Sequence, residues 1–328
     1  MMKRIATYAF HISLIFICLI DHADANQAAL IICGSGGEAE FEERFADWGK
    51  RLQSAFVEQF GFEPDQVALL TERPEDPGAI SNLINIEREI QKLAAPQMKR
   101  EAVWIFLIGH GSFFAQQAKF HVPGMDLTAE QLNEWLREIN AQHLVVLNAS
   151  SSSAGFINAL SGPGRIICTA TKSVSEKNAT GYMRFFLEGI ESGGADRNFD
   201  ERISFLEAAS RASELTQAWY DSEGLIATEH SLLDDNGDQL GSRLPIEALD
   251  SRDQDGNVAA TRFLKEFSFP DDAPNEWVQN YQATMAEIFA LKSQKEAYGA
   301  EAYYAKLEQL FIHAATINRQ IRQYKPSN

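Results

Sequence analysis

Two segments carry residue types that could do covalent chemistry. One is Gly109-His110-Gly111-Ser112, directly after an apolar run, Ala102 to Ile108. The other is Asn148-Ala149-Ser150-Ser151-Ser152-Ser153-Ala154-Gly155-Phe156, directly after a second apolar run, Leu144 to Leu147. If these runs are neighbouring strands, their backbones lie about 4.8 Å apart. A histidine at one strand end and a hydroxyl at the next then come within hydrogen-bond range. A general base beside a nucleophile is the minimal unit of acyl transfer. The glycines flanking His110 let backbone amides approach a ligand closely. A plainer reading makes His110 a polar loop residue and the serine run a flexible or helix-capping loop.

Positioning such groups takes a scaffold, and the chain is patterned for one. Short apolar strand candidates recur at Ala28 to Cys33, Val67 to Leu70, Ala102 to Ile108, Leu144 to Leu147 and Arg165 to Thr169. Helical patterns lie between them. Phe41 to Phe60 puts Phe45, Trp48, Leu52 and Phe56 on one face. Ile80 to Leu93 follows, then Leu127 to Asn140 with Thr128 and Gln131 at capping-box spacing. Gly155 to Leu160 reads as a short helix. Uninterrupted apolar strands alternating with helices imply a parallel sheet covered on both faces. Ligands bind such sheets at the carboxyl ends of the strands, where both segments sit.

In this order the motifs resemble those of the legumain and caspase-like peptidases. WIFLIGHGSF (Trp104 to Phe113) resembles the family's apolar strand with His-Gly, and LVVLNASSSSAGF (Leu144 to Phe156) its nucleophile strand. LIICGSGG (Leu30 to Gly37), FGFEPDQVALLTE (Phe60 to Glu72) and RIICTATKS (Arg165 to Ser173) resemble its first strand and turn, second strand and fifth strand. The resemblance covers roughly residues 28 to 190 and implies a three-layer α/β/α caspase-like fold with a mostly parallel sheet. It matches His110 to the catalytic histidine. Ser150 or Ser151, depending on register, takes the place of the nucleophilic cysteine. Asn148 stands where the family has an acidic residue, and Gly36 where its turn has asparagine. A thiol with a pKa near ~8.5 ionises beside a histidine, whereas a serine hydroxyl needs a base held by a third group. No Asp or Glu partner for His110 stands out. The expectation is a peptidase-like protein, inactive or feeble, that binds a peptide or protein ligand or acts as a scaffold. The alternative is an active hydrolase using Ser150 or Ser151 with His110.

Asp196 to Glu207 suggests a different chemistry. Asp196, Asn198, Asp200, Ser204 and Glu207 fall at positions 1, 3, 5, 9 and 12 of a twelve-residue loop, as in an EF-hand, which makes Ca2+ a candidate cofactor. Glu201 occupies position 6, where the sharp turn wants glycine. The other reading is a helix start capped by Asp200. A third function class follows, a calcium-stabilised interaction module. Asp234 to Asp238 is a further oxygen-rich turn with only Pro245 at the twelfth position, and Asp253 to Asn257 is a weaker one.

Residues 1–25 read as a signal peptide: Lys3 and Arg4, an apolar stretch from Ile5 to Ile20, and Ala23-Asp24-Ala25 as a cleavage site. The mature chain is then exported, periplasmic or secreted, with no membrane segment after cleavage. Net charge of −17 over 328 residues argues against nucleic acid and anionic membranes, which need basic patches. Cys33 and Cys168 are read as buried core residues, and the strand order that the resemblance implies puts them too far apart to bridge. Domain boundaries follow at 26–225 for the peptidase-like domain, 226–270 for Asp-rich connecting loops and 271–328 for a helical hairpin or long helix. Those helices either pack on the domain or mediate association.

Overall fold

The computed structural model describes residues 27–95, 100–198, 200–246, 249, 251, 253–265, 273–293 and 298–324. The leader read at residues 1–25 lies outside them. The chain forms two compact units that divide after residue 265.

In the first unit, β1 (Gln27–Cys33) leads to α1 (Ala39–Ser54), β2 (Val67–Leu70), α2 (Leu83–Leu93) and β3 (Arg100–Ile108). A small antiparallel sheet follows: β4 (Gly111–Phe114), β5 (Gln117–Phe120) and β6 (Leu127–Thr128). Next come α3 (Ala129–Leu136), β7 (Ala141–Asn148), α4 (Ile157–Leu160), β8 (Arg165–Thr169) and α5 (Tyr182–Glu191). The unit ends with β9 (Ile203–Ser204), α6 (Phe205–Ser222), β10 (Leu232–Asp234), β11 (Ser242–Arg243) and β12 (Phe263–Lys265).

Seven strands make the main sheet, in the order β11-β10-β8-β7-β3-β1-β2. The five from β2 to β8 are parallel, and β10 joins β8 antiparallel. Residues alternate between two cores because successive side chains on a strand point to opposite faces. Ala29, Ile31, Trp104 and Phe106 face α1, α5 and α6. Leu30, Ile32, Val103 and Ile105 face α2, α3 and α4. The expected three-layer α/β/α architecture with a mostly parallel sheet is therefore present.

Several boundaries move for local reasons. The second helix starts at Leu83, not Ile80, because the Asn82 side chain accepts from the Asn85 amide as its N-cap. The first helix widens into a π turn over Ala55–Gln59, with the Phe60 amide donating to the Ala55 carbonyl, before Gly61. Thr128 caps α3 as its spacing indicates, accepting from the Gln131 amide.

The segment expected as connecting loops, 226–270, is instead partly sheet. Leu233 is fully buried on β10, which closes one side of the parallel strands. Two carboxylates tie its turns together. Asp235 accepts from the amides of Gly256, Val258 and Ala259. Asp255 accepts from those of Asp235, Asn236 and Ser242. The Asp-rich composition is the source of internal structure here, because each carboxylate replaces a missing backbone partner.

The second unit is the expected helical segment. It contains α7 (Asn275–Ser293) and α8 (Ala300–Gln323), with Gly299 at the N-cap of α8. Tyr281, Ile288, Ala314, Ile317 and Ile321 form its buried core. Among the described residues, no helix is long and apolar enough to cross a membrane.

Candidate active site

The strand order reverses at β1. The chain moves outward from β1 to β2, then returns to place β3 on the other side of β1. Ligands in open α/β sheets bind at the carboxyl ends beside such a switch point. Here those ends carry the Gly34 to Gly37 turn after β1 and the Gly109 to Ser112 segment after β3. The turn is packed tightly: a Cβ on Gly34 would lie 2.3 Å from the His121 carbonyl, and one on Gly36 2.3 Å from the Glu42 amide.

β3 and β7 are adjacent, Leu107 opposite Asn148, so the two candidate segments do emerge side by side. It is Gly111, the residue after His110, that meets the serines. Its amide donates to Ser151 Oγ at 3.1 Å, and the Ser151 hydroxyl donates back to the Gly111 carbonyl at 3.1 Å. A Cβ on Gly111 would sit 2.7 Å from Ser150 Oγ. His110 hydrogen-bonds neither serine. Its ring packs edge-on to Phe41 and Phe45 of α1, with centroids 4.7 and 5.0 Å away. Burial pushes its pKa down, as do the neighbouring His121 and Arg44; the Gly36 backbone and Glu38 oppose this. The imidazole is held in an aromatic cradle.

The serine run is a buried turn, neither flexible nor exposed. Ser150 is 0% exposed and Ser151 3%. The Ser150 hydroxyl donates to Asn148 Oδ1 at 2.6 Å, and its amide donates to the same atom at 3.0 Å. Ser152 takes a left-handed φ of 54°. Its hydroxyl donates to the Val174 carbonyl, and its amide to the Glu176 carbonyl at 2.8 Å. Ser153 Oγ shares a hydrogen bond with Thr171 and accepts from the Thr171 amide. Hydroxyls are favoured here because they supply local backbone partners where the chain leaves regular structure. The segment from Thr171 to Thr180 thus lies over the serine turn. Thr180 donates to the Ala149 carbonyl.

That covering segment is pinned by Glu176, whose carboxylate contacts His230 Nδ1 at 2.5 Å and accepts from the Lys172 amide. Next to His230, the buried Glu229 carboxylate accepts from the Gly181 and Tyr182 amides at the start of α5. Burial raises the Glu229 pKa. A cleft of about 630 Å3 opens here at the carboxyl end of β8, lined by Ala170, Tyr182, Glu229, His230 and Arg243. A larger cleft of about 940 Å3 lies at α3 and α4 and includes neither His110 nor any of the four serines. Its lining reaches the starting ends of β7 and β8, so its position does not suit strand-end chemistry.

Sequence reasoning missed Glu176, Glu229, His230, His121 and Ser112. Ser112 stood in view two residues after His110. The others come together only through the antiparallel β4–β5 hairpin and the return of the chain after α6, neither of which leaves a spacing signal.

Among the metal candidates, Asp196 accepts from the Asp200 and Glu201 amides, Asn198 from the Asp200 amide and Asp200 from the Arg202 amide. Ser204, not Asp200, caps α6, in a reciprocal box with Glu207. Glu201 adopts a φ of 64°, the left-handed turn expected of a glycine at position 6. Glu207 Oε1 is buried without a hydrogen-bond partner. Among the described residues, no three acidic, histidine or cysteine side chains are arranged to hold a metal ion. The two core cysteines, one on β1 and the other on β8 with β3 and β7 between, are free and buried, and burial lifts both thiols to about 12.

No protein-family model and no curated protein matches the chain. Solved structures similar to it in layout include the following two. One is a structural-genomics target protein from Geobacter sulfurreducens, 10% identical, covering 69% of this chain and 100% of its own, with a TM-score of 0.42. The other is caspase-1 from Spodoptera frugiperda, also 10% identical, covering 65% of this chain and 89% of its own, with a TM-score of 0.41.

Proposed function

We propose that this chain is an exported protein of the legumain and caspase-like type whose nucleophile position performs no chemistry, and whose strand-end cleft binds a peptide or protein segment. One observation carries the reading: Ser150 and Ser151 are buried, and their hydroxyls are committed to Asn148 and to the Gly111 carbonyl. A serine nucleophile needs a hydroxyl that faces solvent and a base that takes its proton. His110 hydrogen-bonds neither serine and packs against Phe41 and Phe45, so it supplies neither with that base. The cleft beside Glu229 and His230 adjoins the covering segment and is the place for a ligand. The test is hydrolysis of a diverse fluorogenic peptide library by the mature chain against the His110→Ala variant. No cleavage by either is the expected result. Cleavage that disappears in the variant overturns the reading in favour of a His110-dependent hydrolase.

The second reading, calcium stabilisation of the loop from Asp196 to Glu207, is favoured by two features. Glu201 accepts the left-handed turn despite its side chain, and Glu207 Oε1 is a buried acceptor without a hydrogen bond. Calcium at 100 times its dissociation constant would add about 2.7 kcal/mol. A melting temperature that is the same in calcium and in chelator rules this reading out.

A further inference from the structure

The carboxyl ends of β1 and β3 hold a hydroxyl–imidazole pair that does not involve His110. His121 Nε2 lies 2.9 Å from Ser112 Oγ. We propose that Ser112 is a nucleophile with His121 as its base, and that together they accept acyl groups from activated carboxylic esters. This goes beyond the peptide-binding reading, because it concerns a different hydroxyl and does not depend on what the cleft binds.

The pair is held by backbone that cannot slide. Ser112 on β4 faces Lys119 on β5, and Gly111 faces Phe120, which is fully buried. The His121 amide donates to the His110 carbonyl at 3.0 Å. The His121 carbonyl accepts from the Ser35 amide at 2.9 Å, fastening the hairpin to the turn after β1. Gly34 makes that approach possible, since any Cβ there would strike the same carbonyl. The imidazole and hydroxyl are therefore preorganised, which is what a nucleophile–base pair requires. Access distinguishes this pair from the serine run. Ser112 and His121 are both partly exposed, whereas Ser150 to Ser153 are buried.

The chemistry balances without a cofactor. Ser112 Oγ bonds to the ester carbonyl carbon as its proton passes to His121 Nε2. The carbonyl carbon–oxygen bond to the leaving group then breaks, and the departing alkoxide takes that proton. Water, deprotonated by His121, attacks the acyl-serine, and the proton returns to Ser112. The sum is ester plus water to acid plus alcohol. Among the described residues no carboxylate bonds His121, so the pair is a dyad. Without a group orienting the base, catalysis falls steeply. That fits an ester with a good leaving group and does not fit a peptide bond.

The experiment is covalent labelling of the mature chain with a biotinylated fluorophosphonate, with the adduct located by peptide mass spectrometry, alongside turnover of p-nitrophenyl acetate. The expected result is one adduct, on Ser112. It is absent in Ser112→Ala, slowed at least ~100-fold in His121→Ala, the scale of a lost general base, and kept in Ser173→Ala. Ser112→Ala removes one partly exposed hydroxyl, and thermal melting confirms that each variant is folded. If His121→Ala fails to fold, His121→Asn replaces it and is expected to slow labelling to the same degree. No adduct, an adduct elsewhere, or undiminished labelling in a folded His121 variant overturns the proposal. Peptide cleavage and phosphonate labelling are separate readouts, so failure of either reading leaves the other standing.

Discussion

Replacing Ser150 by cysteine supplies a thiol at one of the two positions, Ser150 or Ser151, that the family resemblance allows, and the expected outcome is that this restores nothing. The Ser150 hydroxyl is fully buried and makes a 2.6 Å hydrogen bond to Asn148 Oδ1. A thiol is a weak donor, so about 1 kcal/mol of hydrogen bonding is lost. Sulfur is larger than oxygen, and the Gly111 backbone leaves no slack beside it. Overpacking of this kind costs about 1–3 kcal/mol. The sum is about 2–4 kcal/mol of lost stability. Reactivity falls further still. An ordinary thiol is ~10% ionised at pH 7.5. The two native buried thiols are lifted to about 12. A thiol at 150 raised equally would be ionised about 3,000-fold less. Iodoacetamide alkylation, followed by intact mass, should therefore be at least ~1,000-fold slower in the native variant than in urea. Cys33 and Cys168 give a silent background for the same reason. Alkylation within tenfold of the unfolded rate, or a new His110-dependent peptidase activity, would refute the reasoning.

Four other outcomes follow from the same geometry. Asp235→Ala orphans three backbone amides and should cost about 3–5 kcal/mol in urea denaturation. Glu176→Ala removes the contact with His230, and amide exchange should quicken about tenfold or more at Ser152, whose partner is the Glu176 carbonyl. Burial raises Glu229, Asp234 and Asp235, so their contribution to stability is fully present below the unfolded carboxylate range of about 4 and is lost as pH rises through their raised folded values. Glu229→Gln keeps an acceptor for the Gly181 and Tyr182 amides and should flatten the melting temperature above pH 4. His110 is shifted the other way, downward, so its share is present above about 6.5 and lost as pH falls through its folded value. His110→Ala should lose about 1–2 kcal/mol of aromatic packing at pH 7 and show a weaker loss on acidification.

How far the sequence carried depends on which residues act locally. The five parallel strands were legible because each is a short, uninterrupted apolar run, and a parallel sheet buried on both faces requires that pattern. Thr128 announced its helix because a cap acts within three residues. The β4–β5 hairpin was not legible. Its turn residues, Ala115 and Gln116, take φ values of 50° and 62° where Asn-Gly or Asp-Gly would be the signal. The sheet strand β10 was hidden inside an Asp-rich stretch. Asp235 and Asp255 act there as internal acceptors for amides up to 24 residues away, and composition cannot tell such a carboxylate from a solvated one. For the site, the sequence placed His110 and the serines on adjacent strand ends. It could not show that the serine hydroxyls bond elsewhere and that His110 packs into Phe41 and Phe45.

Asn148 and Ser150 act as one structural unit. In the folded chain Asn148 Oδ1 accepts from both the amide and the hydroxyl of Ser150. Asn148 is completely buried at the end of β7, its carbonyl taken by the Ala170 amide. A carboxylate there would be charged in a completely buried site, a costly arrangement. The neutral amide accepts the same two hydrogen bonds without the cost of a buried charge, although its Nδ2 is left buried without a hydrogen bond. The pair reads as a turn settled for packing, and a nucleophile's neighbours are usually placed the opposite way, leaving its reactive atom accessible. Asn148→Asp tests this directly. It should destabilise the chain at pH 7 and recover stability as the pH falls and the carboxyl protonates. A variant equally stable at pH 7 and pH 4.5 would show that the site tolerates a charge, and the reading of position 150 as structural would lose its main support.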